Sequence, residues 1–143
     1  MSGMTLIVKT IARLVVGFIF VFGSSVILHG HLSPGGGFAG GSMLACGLVL
    51  VLLAYGRTET RRIISENRAA AWDSVGAFAF LSIALFGYFS GAFFRNFLPL
   101  GHQFQLISSG TVMWSNVAIG IKVGACLFAA YLMLAGFRMS EDT

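Results

Sequence analysis

The residue whose surroundings most demand a chemical explanation is Lys122, set in NVAIGIKVGACLFAAY with apolar or small neighbours on both sides. An ammonium at the centre of a bilayer costs on the order of 3 kcal/mol on insertion scales. Such a group faces a bundle interior, a water path or a counter-charge, or else it snorkels to the surface along its own stem. Its chemistry would be the handling of ions or protons. The chain has five acids, Glu59, Glu66, Asp73, Glu141 and Asp142, and none falls well inside an apolar run. A carboxylate for Lys122 is then expected from another polypeptide, unless the lysine is neutral or hydrated. A chain that carried cations alone would need a buried carboxylate of its own, so the reading is a subunit rather than a complete transporter.

His29 and His31 are the other candidates for proton chemistry, because imidazole titrates near neutral pH. They flank Gly30 in HGHLSPGGGFAGGS, residues 29–42. Two histidines make too few ligands for zinc, and nothing in the spacing recruits His102 as a third, so no metal is expected. Two readings stay open for the pair: a proton relay, or hydrogen bonding that fixes the turn. Pro34 and the glycines Gly35, Gly36 and Gly37 end a helix and allow tight backbone, with Gly40 and Gly41 following. No Gly-Lys-Ser/Thr follows, so this is no phosphate loop. No grouping of Ser, Cys and His resembles a nucleophilic triad, and neither enzyme site nor cofactor is expected.

The elements that must position these residues are membrane helices. The 143 residues are 57% hydrophobic and 10% charged, against about 25% charged in soluble domains. One all-α domain of four transmembrane helices is expected, with spans at roughly 6–28, 38–55, 75–94 and 114–137. The glycine-rich break then lies between the first two spans. Irregular backbone at that depth must be satisfied by protein or by a water-filled cavity, so the break is either a surface turn or is buried against something else. The basic N-terminal stretch lacks an A-x-A cleavage signal and reads as a retained helix. Cys46 and Cys126 lie in apolar runs and read as small core residues, not as a disulfide or metal pair.

Lys9, Arg13, Arg57, Arg61, Arg62, Arg68 and Arg138 fall on one side of this four-span arrangement, with Arg95 on the other. The positive-inside rule makes that side, and both termini, cytoplasmic. The net charge of +4 is thus a topology signal and not a nucleic-acid surface. Tyr55, Trp72 and Trp114 fall near span ends, as interface aromatics do. The middle segment GRTETRRIISENRAAAWDS is a solvated hairpin or a docking surface, and Asp73 or Ser74 is expected to cap the third span. Gly120 and Gly124 form a small-xxx-small face about 200° from Lys122, so one face can pack while the other presents the charge. Gly37 with Gly41, and Gly87 with Gly91, offer similar faces.

The string HGHLSPGGGFAGG between a first and a second span resembles the signature of the B-type component of Mrp-type multisubunit cation/proton antiporters, the MnhB family. NVAIGIKVGA in the last span is similar to that family's second recurrent motif, and the resemblance extends over the whole chain. It implies a small subunit of a prokaryotic plasma-membrane complex. Such a subunit has other hydrophobic subunits and lipid as partners, and Na+ and H+ move at the level of the complex. It helps assembly and shapes an ion path, while larger subunits carry the relays. Carried onto this sequence, the motif residues are His29, Gly30, His31, Pro34, Gly35, Gly36, Gly37, Gly40 and Gly41, with Lys122, Gly120 and Gly124. Related subunits also occur in energy-converting hydrogenases and sulfur reductases, which is the alternative setting; an independent homodimeric exporter is the third.

Overall fold

The computed structural model describes residues 4–32, 34–93, 95–98 and 109–137. Every regular element among them is helical: α1 (Leu6–Leu28), α2 (Gly36–Tyr55), the short α3 (Arg57–Ile63), α4 (Glu66–Phe86) and α5 (Thr111–Phe137), with a 3-10 turn, Gly87–Ser90, extending α4. Four of these helices are long and apolar enough to cross a membrane, so the chain is a multi-pass membrane protein. They pack as a layer in which α2 lies between α1 and α5, and α5 lies between α2 and α4. Each contact exploits small residues, because helices in lipid gain association from close backbone approach rather than from hiding apolar surface. At the α1–α2 crossing, a methyl on Gly40 would stand 2.7 Å from the Gly23 carbonyl oxygen. At the α2–α5 crossing, one on Gly41 would stand 2.7 Å from the Gly120 oxygen.

The third long helix starts at Glu66, well before Val75, and this corrects the expected cap. Ser65, not Asp73 or Ser74, is the N-cap, its hydroxyl accepting from the Arg68 amide at 3.4 Å. The polar run ENRAAAWDS lowers hydropathy but is good helix-forming sequence, and its Ala69 is buried. Ala69 joins Leu52, Phe128 and Leu132 in a core at the end of the bundle where α3 connects α2 to α4. In the connecting segment Arg61 pairs with Glu66 and Arg62 with Glu59.

Two further expectations fail. Cys46 and Cys126 are exposed on the chain rather than in its core. In a membrane helix apolar neighbours surround every face, so they do not report burial. The Gly87/Gly91 face does not form either, since the α-helix ends at Phe86 and Gly91 has a positive φ of 100°. The close approach of this helix to α5 is made instead by Gly76. His102, Pro99, Gly101, Arg138, Glu141 and Asp142 lie outside the described residues.

Candidate functional site

α5 carries the site. Lys122 lies about 16 Å along it from Thr111, and Asp73 about 10 Å along α4 from Glu66, at 1.5 Å per residue. The two meet: the Lys122 Nζ donates to Asp73 Oδ1 at 2.8 Å. What brings them together is Gly76, one turn beyond Asp73 on the same face of α4. A β-carbon there would stand 2.8 Å from the Lys122 amide nitrogen, 2.9 Å from the Lys122 Cβ and 3.0 Å from the Ala118 oxygen. Only hydrogen in that position lets α4 lie against the α5 backbone at the level of the lysine. The expectation that Lys122 must draw its carboxylate from another polypeptide is therefore overturned: the same chain supplies it. A missing carboxylate no longer speaks for a subunit, and that conclusion has to rest on other grounds.

The pair is not sealed inside the bundle. The Lys122 side chain keeps 45% of its exposure and Asp73 keeps 31%, so both charges reach the surface of the chain well inside two membrane-length helices. Gly120 and Gly124 point elsewhere, toward Ile27, Gly37, Gly41 and Leu44. Packing and charge thus occupy different faces of α5.

The glycine-rich break is a turn folded onto the first half of α5. His29 Nδ1–H donates to the Ser25 carbonyl at 2.9 Å, and the Leu32 amide donates to the His29 carbonyl at 2.8 Å. Pro34 is exposed. Gly35 and Gly36 have φ of 153° and 77°, values that L side chains rarely adopt. The α2 N-terminus that follows is buried, and its amides need an acceptor. Asn116 supplies one: its Oδ1 accepts from the Gly37 amide at 3.4 Å. Gly30 closes the other side, where a methyl would stand 2.8 Å from Asn116 Nδ2. Of the two expectations for the break, a surface turn or burial against something else, the second holds for Gly36 and Gly37, and what covers them is α5 of the same chain. Its histidines sit at the α1–α2 turn, while Lys122 engages α4. Among the described residues, no group of three His, Cys, Asp or Glu is placed to hold a metal.

Asp73, Gly76 and Asn116 escaped the sequence reading as site residues. Only Asn116 carried a legible signal, as a carboxamide inside an apolar run.

A family profile described as a domain related to the MnhB subunit of Na+/H+ antiporter matches residues 7–129. The chain belongs to that family. The MnhB-type chain is 36% identical over 96 residues to the B-type component of the Na(+)/H(+) antiporter of Bacillus subtilis, covering 59% of this chain and 67% of that one. An uncharacterized protein of Methanocaldococcus jannaschii is 27% identical over 138 residues, 92% of this chain. Among solved structures, a chain of the membrane-bound sulfane sulfur reductase, an archaeal respiratory membrane complex, superposes with a TM-score of 0.75 at 31% identity, over 91% of this chain. The MnhB-type chain spans 52% of the Methanocaldococcus protein and 58% of the reductase chain.

Proposed function

We propose that this chain is a small, non-enzymatic subunit of a multisubunit monovalent cation/proton (Na+/H+) antiporter, which helps assemble the complex and lines an ion or proton path. The observation that carries the reading is the Lys122–Asp73 pair, half exposed inside two membrane-length helices. Lipid is a poor neighbour for either charge, so this face is covered by another hydrophobic subunit or by water in a path between subunits. There the pair is a charged hydrogen-bonded switch: Asp73 holds the ammonium, and a passing cation or proton competes for the carboxylate. The likeness to the B-type component of an antiporter supports the host complex. His29 fixes the turn rather than relaying protons, a role that its bond to the Ser25 carbonyl supports. The basic residues Lys9, Arg13, Arg61, Arg62 and Arg68 belong to the ends of helices that meet around Tyr55, whose hydroxyl donates to the Lys9 carbonyl. That end faces the cytoplasm of a prokaryotic cell, with both termini.

The structural likeness to a reductase complex favours a second setting, the same module in a redox-driven membrane complex. Purification in mild detergent followed by native mass spectrometry separates them. Other antiporter subunits support the first setting and iron–sulfur or nickel–iron subunits the second; a stable homodimer alone refutes both. In vesicles, Asp73→Asn and Lys122→Ala should each lower Na+/H+ exchange while the complex still assembles. Unchanged exchange would remove the pair from the path.

A further inference from the structure

A second feature of α5 lies away from the ion pair. A groove of about 380 Å³ runs between α2 and α4, with α5 as its floor and Phe20 of α1 on one wall. Leu44, Gly124 and Phe128 line its length, and neither Lys122 nor Asp73 takes part. Its two ends differ chemically. One end reaches the middles of α1 and α2, at Phe20 and Leu44. The other opens at the first turn of α4, where Arg68 lines it, with Trp72 one turn further in. Arg68 is the third residue of that helix, and Arg61 lies close by in the preceding segment, paired with Glu66. The groove is thus apolar at depth, with an arginine at its mouth and an indole one turn further in.

We propose that the groove holds one acyl chain of an anionic phospholipid, with the phosphate at Arg68. The polarity gradient matches that molecule. A guanidinium binds phosphate through charge-assisted paired hydrogen bonds. Basic sites between membrane helices take anionic headgroups, and Trp72, one turn further in, lies beside the path of the acyl chain. A partner helix would fill the apolar depth, but it would not account for a guanidinium at the mouth. This inference does not depend on the antiport reading. It concerns how the chain is seated in its membrane.

The two tryptophans of the chain allow a direct test. In Trp114→Phe protein, alone and in its purified complex, Trp72 is the reporter. It is reconstituted with phosphatidylglycerol or phosphatidylcholine brominated on the acyl chain, each at a low mole fraction. The expected result is about five-fold stronger retention of phosphatidylglycerol, the worth of one surface arginine. Arg68→Gln should abolish the preference and Arg68→Lys restore most of it. Ala125→Leu, which fills the groove from its floor, should displace both lipids while helical circular dichroism stays unchanged. Equal quenching by the two lipids in the parent protein overturns the proposal. So does a preference that survives Ala125→Leu, which would mean surface attraction only. Absence of quenching in the complex alone would show a partner helix in the groove, and that also overturns it.

Discussion

Gly76→Ala is the change that tests the geometry most directly, because one methyl meets the α5 backbone at the level of Lys122. Its β-carbon would lie 2.8, 2.9 and 3.0 Å from the Lys122 nitrogen, the Lys122 Cβ and the Ala118 oxygen, where ordinary contact begins at 3.4 Å. Two of these atoms are backbone, so no rotamer change relieves the clash. α4 must withdraw by about 0.6 Å or tilt. Overpacking of this kind costs about 1–3 kcal/mol, offset by up to about 1 kcal/mol from the better helix propensity of alanine. The net loss is about 1–2 kcal/mol, a factor of roughly 5–30 in the folded-to-unfolded ratio. The control is Gly17→Ala in α1, where a methyl meets nothing within 4 Å and only the propensity gain remains. Both variants are compared with the parent by thermal unfolding of the purified chain in one detergent. Gly76→Ala should melt several degrees lower and Gly17→Ala no lower than the parent. Because Asp73 sits one turn from the methyl, Gly76→Ala should also lower exchange in vesicles. If the two alanines behave alike, the close approach at Gly76 does not hold the pair, and the account of the site fails.

Asn116→Leu leaves the Gly37 amide without its acceptor, and an unsatisfied buried donor costs about 1–3 kcal/mol; Asn116→Asp, which keeps an acceptor, should recover part of the loss in the same melting experiment. Phe128→Ala removes a ring only 1% exposed and should cost about 3–5 kcal/mol, seen as loss of the protein from detergent extracts. Exchanging the charges, with Asp73→Lys and Lys122→Asp together, should restore assembly lost in either single reversal, as judged by co-purification of the complex. His29→Ala with His31→Ala should reduce assembly without moving the pH profile of exchange; a shifted profile in an intact complex would instead make the histidines a relay.

The four spans, the break and the lysine were legible because each is a local signal: run length, glycine density, one charge among apolar residues. The ion pair was not, and the reason is physical. Asp73 lies 49 residues from Lys122, in a stretch whose polarity hid that it is helical from Glu66 onward. Hydropathy marks where a chain likes lipid, whereas Ser65 marks where the helix begins, and between the two lie the turns that carry Asp73. Gly76 was passed over because one glycine in a span has no pattern; its meaning lies in the helix facing it. The cysteines were misplaced for the converse reason, since local apolarity in such a chain says nothing about which face is covered.

The position of α2 between two neighbours has a consequence for how this gene can vary. Gly40 abuts α1, and Gly37 and Gly41 abut α5, so over its first two turns both flanks of the helix are bare backbone. Phe38, Cys46 and Leu53, by contrast, are exposed. A saturation-mutagenesis scan through residues 36–55 should show, over the first two turns, two narrow edges that accept nothing larger than hydrogen. Between them should run a broad strip free to change its side chains, and it is on that strip that relatives assembling with different neighbours can diverge.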